Sequence, residues 1–170
     1  TWNVLCGFPG EKPEDYEALA RLMHLIPHLP PPSSFAAFRL DRFSPMFDDP
    51  DSFGLKNTRP YPSYNLCYDL NDEHLRRIAY FYTYTDAITP ETGDAITEAW
   101  QVGLWWRKNY VNSHLVCRVA PDFVLIEDAR AGYTPRHQLL FGKERLVYLV
   151  TDEIQSVRSA ANQLRWEHPE

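Results

Sequence analysis

Cysteine is scarce in this sequence: Cys6, Cys67 and Cys117 are the only three in 170 residues. Their odd number and wide separation argue against a disulfide framework and point to a reducing, cytoplasmic compartment. No two stand at the short spacing of a zinc or iron–sulfur site. No apolar run approaches the length of a membrane span, and no signal peptide is visible. Basic charge is also short. Seventeen Lys and Arg face 23 Asp and Glu, a formal charge of −6. A general nucleic-acid binder needs a basic face to displace counterions, so this balance argues against that class. There is no internal repeat and no low-complexity tract. The chain opens on Thr1-Trp2-Asn3-Val4-Leu5, without an initiating Met or a polar lead-in, and residue 1 reads as a cut point within a longer protein.

What is present supports a packed core: 44% of residues are hydrophobic and 14% aromatic. Trp2 to Cys6 has the length and apolarity of a strand. The turn signal Gly7-Phe8-Pro9-Gly10-Glu11 follows it. Pro13 suits a helix's first position, with Glu14 and Asp15 where the helix dipole favours acid. Tyr16, Leu19, Ala20, Met23 and Ile26 recur at helical spacing, and Pro27 ends the run. Phe35 to Phe43 reads as the next strand, with Phe38 and Leu40 on one face and Arg39 and Asp41 on the other. Charges on an inner face suit the lumen of a parallel barrel. Residues 1 to 47 therefore predict β-loop-α-β and a parallel sheet.

Residues 48 to 70 read as irregular, the pattern of a functional loop or a surface wrap. Asn71 or Asp72 caps a helix with Leu75, Ile78, Ala79 and Tyr82 on one face. Thr89-Pro90 opens another, with the stripe Ile96, Trp100, Gly103 and Leu104, running to about Tyr110. His114 to Ala120 and Phe123 to Ala129 form a hairpin turning at Pro121-Asp122. Gln138 to Phe141 reads as a short third strand. Helices follow near Lys143 to Val150 and from Thr151 or Asp152 to Leu164. A hairpin beside two short helices is the outline of a winged-helix-like α+β module.

The segment Asn3-Val4-Leu5-Cys6-Gly7-Phe8-Pro9-Gly10-Glu11 resembles the radical S-adenosylmethionine enzymes, in which an apolar strand ends in Gly-Phe/Leu-Pro-Gly-Glu/Gln before an acidic amphipathic helix. A second block, Arg39-Leu40-Asp41-Arg42-Phe43-Ser44-Pro45-Met46-Phe47 with Asp49-Pro50 and Phe53-Gly54-Leu55, is similar to the cobalamin-dependent members that mature ribosomally made peptides and are described as C-methyltransferases. The likeness is dense in residues 1 to 60 and thin beyond. It implies an α/β fold: late strand–helix units of a partial (β/α) barrel over 1–60, a connecting helical region over 61–112 and the winged-helix-like module over 113–170. It implies that Leu5, Cys6, Gly7, Phe8 and Gly10 lie beside the adenine of S-adenosylmethionine, and that Arg39, Asp41 and Arg42 meet the substrate. The family's Cys-x-x-x-Cys-x-x-Cys motif for the [4Fe–4S] cluster is absent here, as is a cobalamin domain. On this reading the cluster and cobalamin belong to upstream domains of the same enzyme, and this chain alone binds no cofactor and is not active. The expected partner is a precursor peptide, with no nucleic acid and no membrane.

Plainer readings stand beside these. Cys6 is also what a small buried hydrophobe looks like. The glycine-proline turn is also what any tight strand-to-helix connection uses. Arg39 and Asp41 could form a structural ion pair. His24 and His28, at i and i+4, lack a third ligand nearby. Trp100, Trp105 and Trp106 read as core. The carboxy-terminal module could capture a leader peptide by strand addition or serve only as a cap, with no catalysis of its own. Its last helix offers Gln155, Arg158, Asn162, Gln163 and Arg165, but Asp152 and Glu153 at its amino end would face phosphate and oppose DNA binding.

Overall fold

The computed structural model describes residues 2–85 and 88–167. The chain divides into two compact units. The first holds Thr1–Leu25 and Pro31–Lys108; the second holds Ile26–Pro30 and Asn109–Glu170. Seven α-helices and three small sheets are formed by the described residues, and no sheet closes into a barrel. The architecture is mixed α/β.

The first unit opens as the sequence predicts. Strand β1 (Asn3–Cys6) is joined by helix α1 (Pro13–Leu25) to β2 (Ser34–Ala37), and the two strands pair in parallel from Asn3 opposite Ser34 to Cys6 opposite Ala37. Two flanking bonds extend the ladder: Ser33 N–H to Trp2 O at 2.8 Å and Phe38 N–H to Cys6 O at 2.6 Å. Helix α1 carries Glu14 and Asp15 in its first turn and buries Tyr16 and Met23. Helix α5 (Pro90–Asn109) meets the pair through Gly103, where a Cβ would stand only 2.4 Å from the Phe35 ring. Trp106 tilts against Trp2 at 5.8 Å, and Trp105 against His24 at 4.7 Å.

The strand expected over Phe35–Phe43 is divided between two sheets. Pairing with β1 stops at Ala37. Phe38 and Arg39 lie outside any strand, and β3 (Leu40–Asp41) enters a different, antiparallel sheet with β4 (Lys56–Pro60) and β5 (Phe81–Thr85), in the order β3-β5-β4. Arg39 therefore does not line the lumen of a barrel; it is exposed. The cause is packing. Leu40, Leu55, Ala79 and Tyr82 close into a buried cluster, with Phe38, Met46, Phe47, Tyr64 and Tyr84 against it. Burying a side chain such as Leu40 or Leu55 contributes about 1.5–3 kcal/mol, enough to turn the backbone toward this second core.

Three short helices complete that region: α2 (Pro45–Asp48), α3 (Ser63–Cys67) and α4 (Asp72–Ile78). Ser44 caps α2 and Asn71 caps α4, each side chain accepting a backbone N–H three residues on. The expected helix face Leu75, Ile78, Ala79, Tyr82 needs correction. The helix ends at Ile78, which is exposed, and Tyr82 belongs to β5. On α5 the buried face is Thr92, Ala99, Gly103 and Trp106, so the expected stripe survives at Gly103, while Trp100 is 50% exposed.

The second unit is a three-stranded antiparallel meander, β6 (His114–Val119), β7 (Phe123–Ala129) and β8 (Arg136–Phe141), followed by α6 (Gly142–Val150) and α7 (Val157–Glu167). One face carries Leu115, Cys117 and Val119 with Val124, Ile126 and Asp128, and with Arg136, Gln138 and Leu140, from the observed register. Val124 and Leu140 are buried on it. Arg145 of α6 donates twice to the Ala120 carbonyl, at 3.3 and 3.2 Å, and ties helix to hairpin. Helix α7 begins at Val157 rather than at Thr151 or Asp152; Ser156 accepts the Ser159 N–H at 3.2 Å at its start. No helix among the described residues is long and apolar enough to cross a membrane.

Candidate functional site

The residues at the end of β1 form a tightly bonded turn. Gly7 has φ 82° and Gly10 φ 89°, a backbone region that L side chains rarely adopt, so both positions favour glycine. The turn is organised by Glu11. One of its oxygens, Oε2, accepts the Gly7 N–H at 2.9 Å, the Phe8 N–H at 2.8 Å and the Tyr16 hydroxyl. The Gly7 N–H is shared with Tyr16 Oη at 2.7 Å. Burial, then the hydrogen bond to Glu11, push the Tyr16 phenol above its ordinary value. Tyr16 was expected only as one residue of a helical stripe, and Glu11 only as part of a motif. That they lock the turn is a spatial fact, joining Glu11 of the loop to Tyr16 in the first turns of α1, five residues on.

The five residues expected beside adenine have unlike surroundings. Leu5 is 52% exposed. Cys6 is half-buried, its thiol 3.4 Å from the Ala36 carbonyl and raised in pKa by burial and, secondarily, by Glu11. Gly7 is buried, and a Cβ there would meet Ile88 Cδ1 at 3.2 Å. The Phe8 ring stacks obliquely on Phe38 at 4.9 Å, and Phe38 on Tyr84 at 5.5 Å. The space beside Gly10 is open. Leu5 is thus open to solvent, and nothing stands where a Gly10 Cβ would be. The amides of Gly7 and Phe8 are already occupied by the chain's own carboxylate and phenol. Among the described residues no group of three or more His, Cys, Asp or Glu could hold a metal ion.

The second set does not converge as one subsite. Arg39 binds Asp41 through two parallel bonds, Nε to Oδ1 at 2.6 Å and Nη2 to Oδ2 at 3.0 Å, and its guanidinium lies 4.1 Å above the Phe81 ring. Arg42 faces elsewhere. Its Nη1 donates to the Arg77 carbonyl and, at 3.4 Å, to that of Ala79, satisfying carbonyls that the end of α4 leaves open. Phe43 follows Arg42, with φ 70° and 72% exposed, and its ring lies 5.0 Å from the Arg42 guanidinium.

The second unit holds a polar centre that sequence reasoning missed. Asp128 is only 4% exposed. Arg130 grips it with Nε and Nη2, both at 2.9 Å, and Arg136 Nε stands 3.4 Å away. Bonding to Arg130 holds the Asp128 carboxyl at about 2, well below the usual range. His28, in the segment Ile26–Pro30, has a buried Nδ1 without a hydrogen-bond partner; burial, then Arg130, lower its pKa. The only hint was that the strand beginning with the apolar run Phe123-Val124-Leu125-Ile126 continues into the acids Glu127 and Asp128. On the opposite sheet face Arg118 binds Glu127 at 2.6 Å and His137 stands 3.7 Å from the same carboxylate.

Comparison with family models, with curated proteins and with solved structures finds no match for this chain.

Proposed function

We propose that this chain is part of a radical S-adenosylmethionine enzyme that modifies, by C-methylation, a ribosomally made peptide. The observation that carries the reading is the parallel β1-α1-β2 unit with its two left-handed glycines at the carboxyl end of β1. In parallel α/β units ligands bind at that end of the strands. The exposed Leu5 and the open space at Gly10 leave room there for the flat face of adenine. The cofactors carry the hard chemistry, while a chain of this kind positions and shields them. The reading requires that residues outside these 170 hold the cluster and cobalamin. Two measurements test it. The sequence encoded ahead of Thr1 should carry Cys-x-x-x-Cys-x-x-Cys; its absence overturns the reading. In an enzyme that includes that sequence, Leu5→Asp should lower 5′-deoxyadenosine formation by at least about tenfold, equivalent to about 1.4 kcal/mol. Unchanged turnover would remove Leu5 from the cofactor.

A second reading concerns residues 113–170. Strand β8 is the outer strand of its sheet, and every residue of it except Leu140 is exposed. An unpaired edge of this kind accepts an extended peptide by main-chain hydrogen bonding. On this reading the winged-helix-like module recognises the leader of the precursor, and the alternative is a structural cap.

A further inference from the structure

The meander β6-β7-β8 is covered unevenly. Helix α6 packs on β7 and β8, and at the hairpin end Val124 and Leu140 are buried. Toward the other end the same sheet face opens into a cleft of about 430 Å³. That volume lies within the range of small-ligand and short-peptide pockets. Its floor is apolar, formed by Leu115, Cys117 and Ile126, with the Gln138 amide beside them and Tyr148 of α6 at the flank. At its far end stands the Asp128 centre. One carboxylate meets two guanidiniums there, so the cleft ends in one surplus positive charge. The two arginines are not equivalent. Arg130 is largely buried and holds both carboxylate oxygens, whereas the Arg136 side chain is 72% exposed and makes a single 3.4 Å approach. Arg136 is therefore the cation free to turn to an incoming anion, because Asp128 keeps a full partner when it does. A planar guanidinium takes a carboxylate through two parallel bonds.

We infer that this cleft is a binding site for an acidic peptide segment, in which an apolar side chain lies on the Leu115–Ile126 floor and a neighbouring carboxylate pairs with Arg136. The site rests on the peptide-docking reading of this sheet and is independent of radical chemistry in the first unit. It differs from strand addition at the β8 edge, because recognition here is by side chains on the sheet face.

The test uses the full chain and a fluorescein-labelled octapeptide of alternating Leu and Glu, followed by anisotropy. Three comparison peptides accompany it: Leu-Gln, Leu-Lys, and a Leu-Glu peptide N-methylated at alternate amides. The Leu-Glu peptide should bind, and the Leu-Gln and Leu-Lys peptides should bind at least about tenfold more weakly, as expected for loss of one charge-assisted pair. Arg136→Gln should weaken Leu-Glu binding by a similar factor. Arg118→Gln, on the opposite face, should leave it unchanged. Because Arg136 is exposed and Asp128 retains Arg130, the variant keeps its fold, which circular dichroism checks. Equal binding of Leu-Glu and Leu-Gln, or an unchanged Arg136→Gln, overturns the site. If N-methylation abolishes binding while Arg136→Gln does not, the edge reading stands and the cleft falls. If no peptide binds, both fall.

Discussion

At the scale of single residues, the turn after β1 is held by one carboxylate oxygen. Glu11 Oε2 meets two backbone donors and a phenol and so braces a loop that holds two left-handed glycines. Glu11→Ala would leave the Phe8 N–H without its partner and should destabilise the chain by about 2 kcal/mol, the cost of losing charge-assisted bonds, measurable by urea unfolding. The same substitution acts on Cys6. Burial and the Glu11 carboxylate both raise the thiol, so removing the carboxylate lowers it toward its ordinary value. Alkylation of Cys6 by iodoacetamide at pH 8 should be slower than that of the exposed Cys67 and Cys117, and faster in Glu11→Gln than in the unmodified chain. Equal rates before and after would mean that Glu11 does not set the thiol's environment.

At the scale of elements, α5 carries two glycines with opposite expectations. At Gly103 a Cβ would stand 2.4 and 2.5 Å from Phe35 ring atoms, so Gly103→Ala must displace a ring and should cost about 1–3 kcal/mol. At Gly93 nothing lies within 4 Å, so Gly93→Ala should stabilise by about 0.5–1 kcal/mol through helix propensity alone. Thermal unfolding of the pair checks both signs. The same helix shows what was legible in the sequence. Its start at Pro90 and its length were readable from capping and periodicity, but the buried face was not. Trp100 and Leu104 carry more apolar surface than Ala99, yet a close approach at Gly103 turns Ala99 and Trp106 inward. The β1-α1-β2 unit and the Pro121-Asp122 hairpin were legible because turn residues and period agreed. Strands β4 and β5 were not. Pro60 disguised the first, and Leu75, Ala79 and Tyr82 are all buried at helix-like spacing although Tyr82 reaches the core from a strand. Alternation over 35–43 continued smoothly through a change of sheet, which no local pattern marks. Of the candidate site, the glycine turn was readable; the Asp128 centre depends on pairings across strands and on a segment remote in sequence.

At the scale of the whole molecule, acid should act first on the second unit. Asp128 titrates at about 2 when folded against an ordinary value of 3.8, so its contribution is present above about pH 4 and is lost as pH falls toward 2. His28 is lowered as well. Its neutral form is favoured by folding, so its contribution is present above the ordinary value of 6.5 and declines as the medium is acidified. The charged groups facing it are Arg130 and Asp128. Hydrogen exchange followed between pH 7 and pH 3 should show protection falling in residues 114–141 as the pH drops. Asp128→Asn should lower stability at pH 7 and flatten the limb below pH 4. A limb unchanged by that substitution would place the acid sensitivity elsewhere.

The placement of Ile26–Pro30 has a consequence for how this chain is made. These five residues belong to the second unit, and Pro27 among them is buried, yet the stretch Pro31–Lys108, about three quarters of the first unit, separates them from Asn109. During synthesis they leave the ribosome long before the meander that receives them. Closing so long a loop is an entropic cost met only when the late strands arrive, so completion of the second unit is a slow, late event. A fragment cut at Asn109 would lack Pro27 and His28, and is no substitute for the second unit within the intact chain.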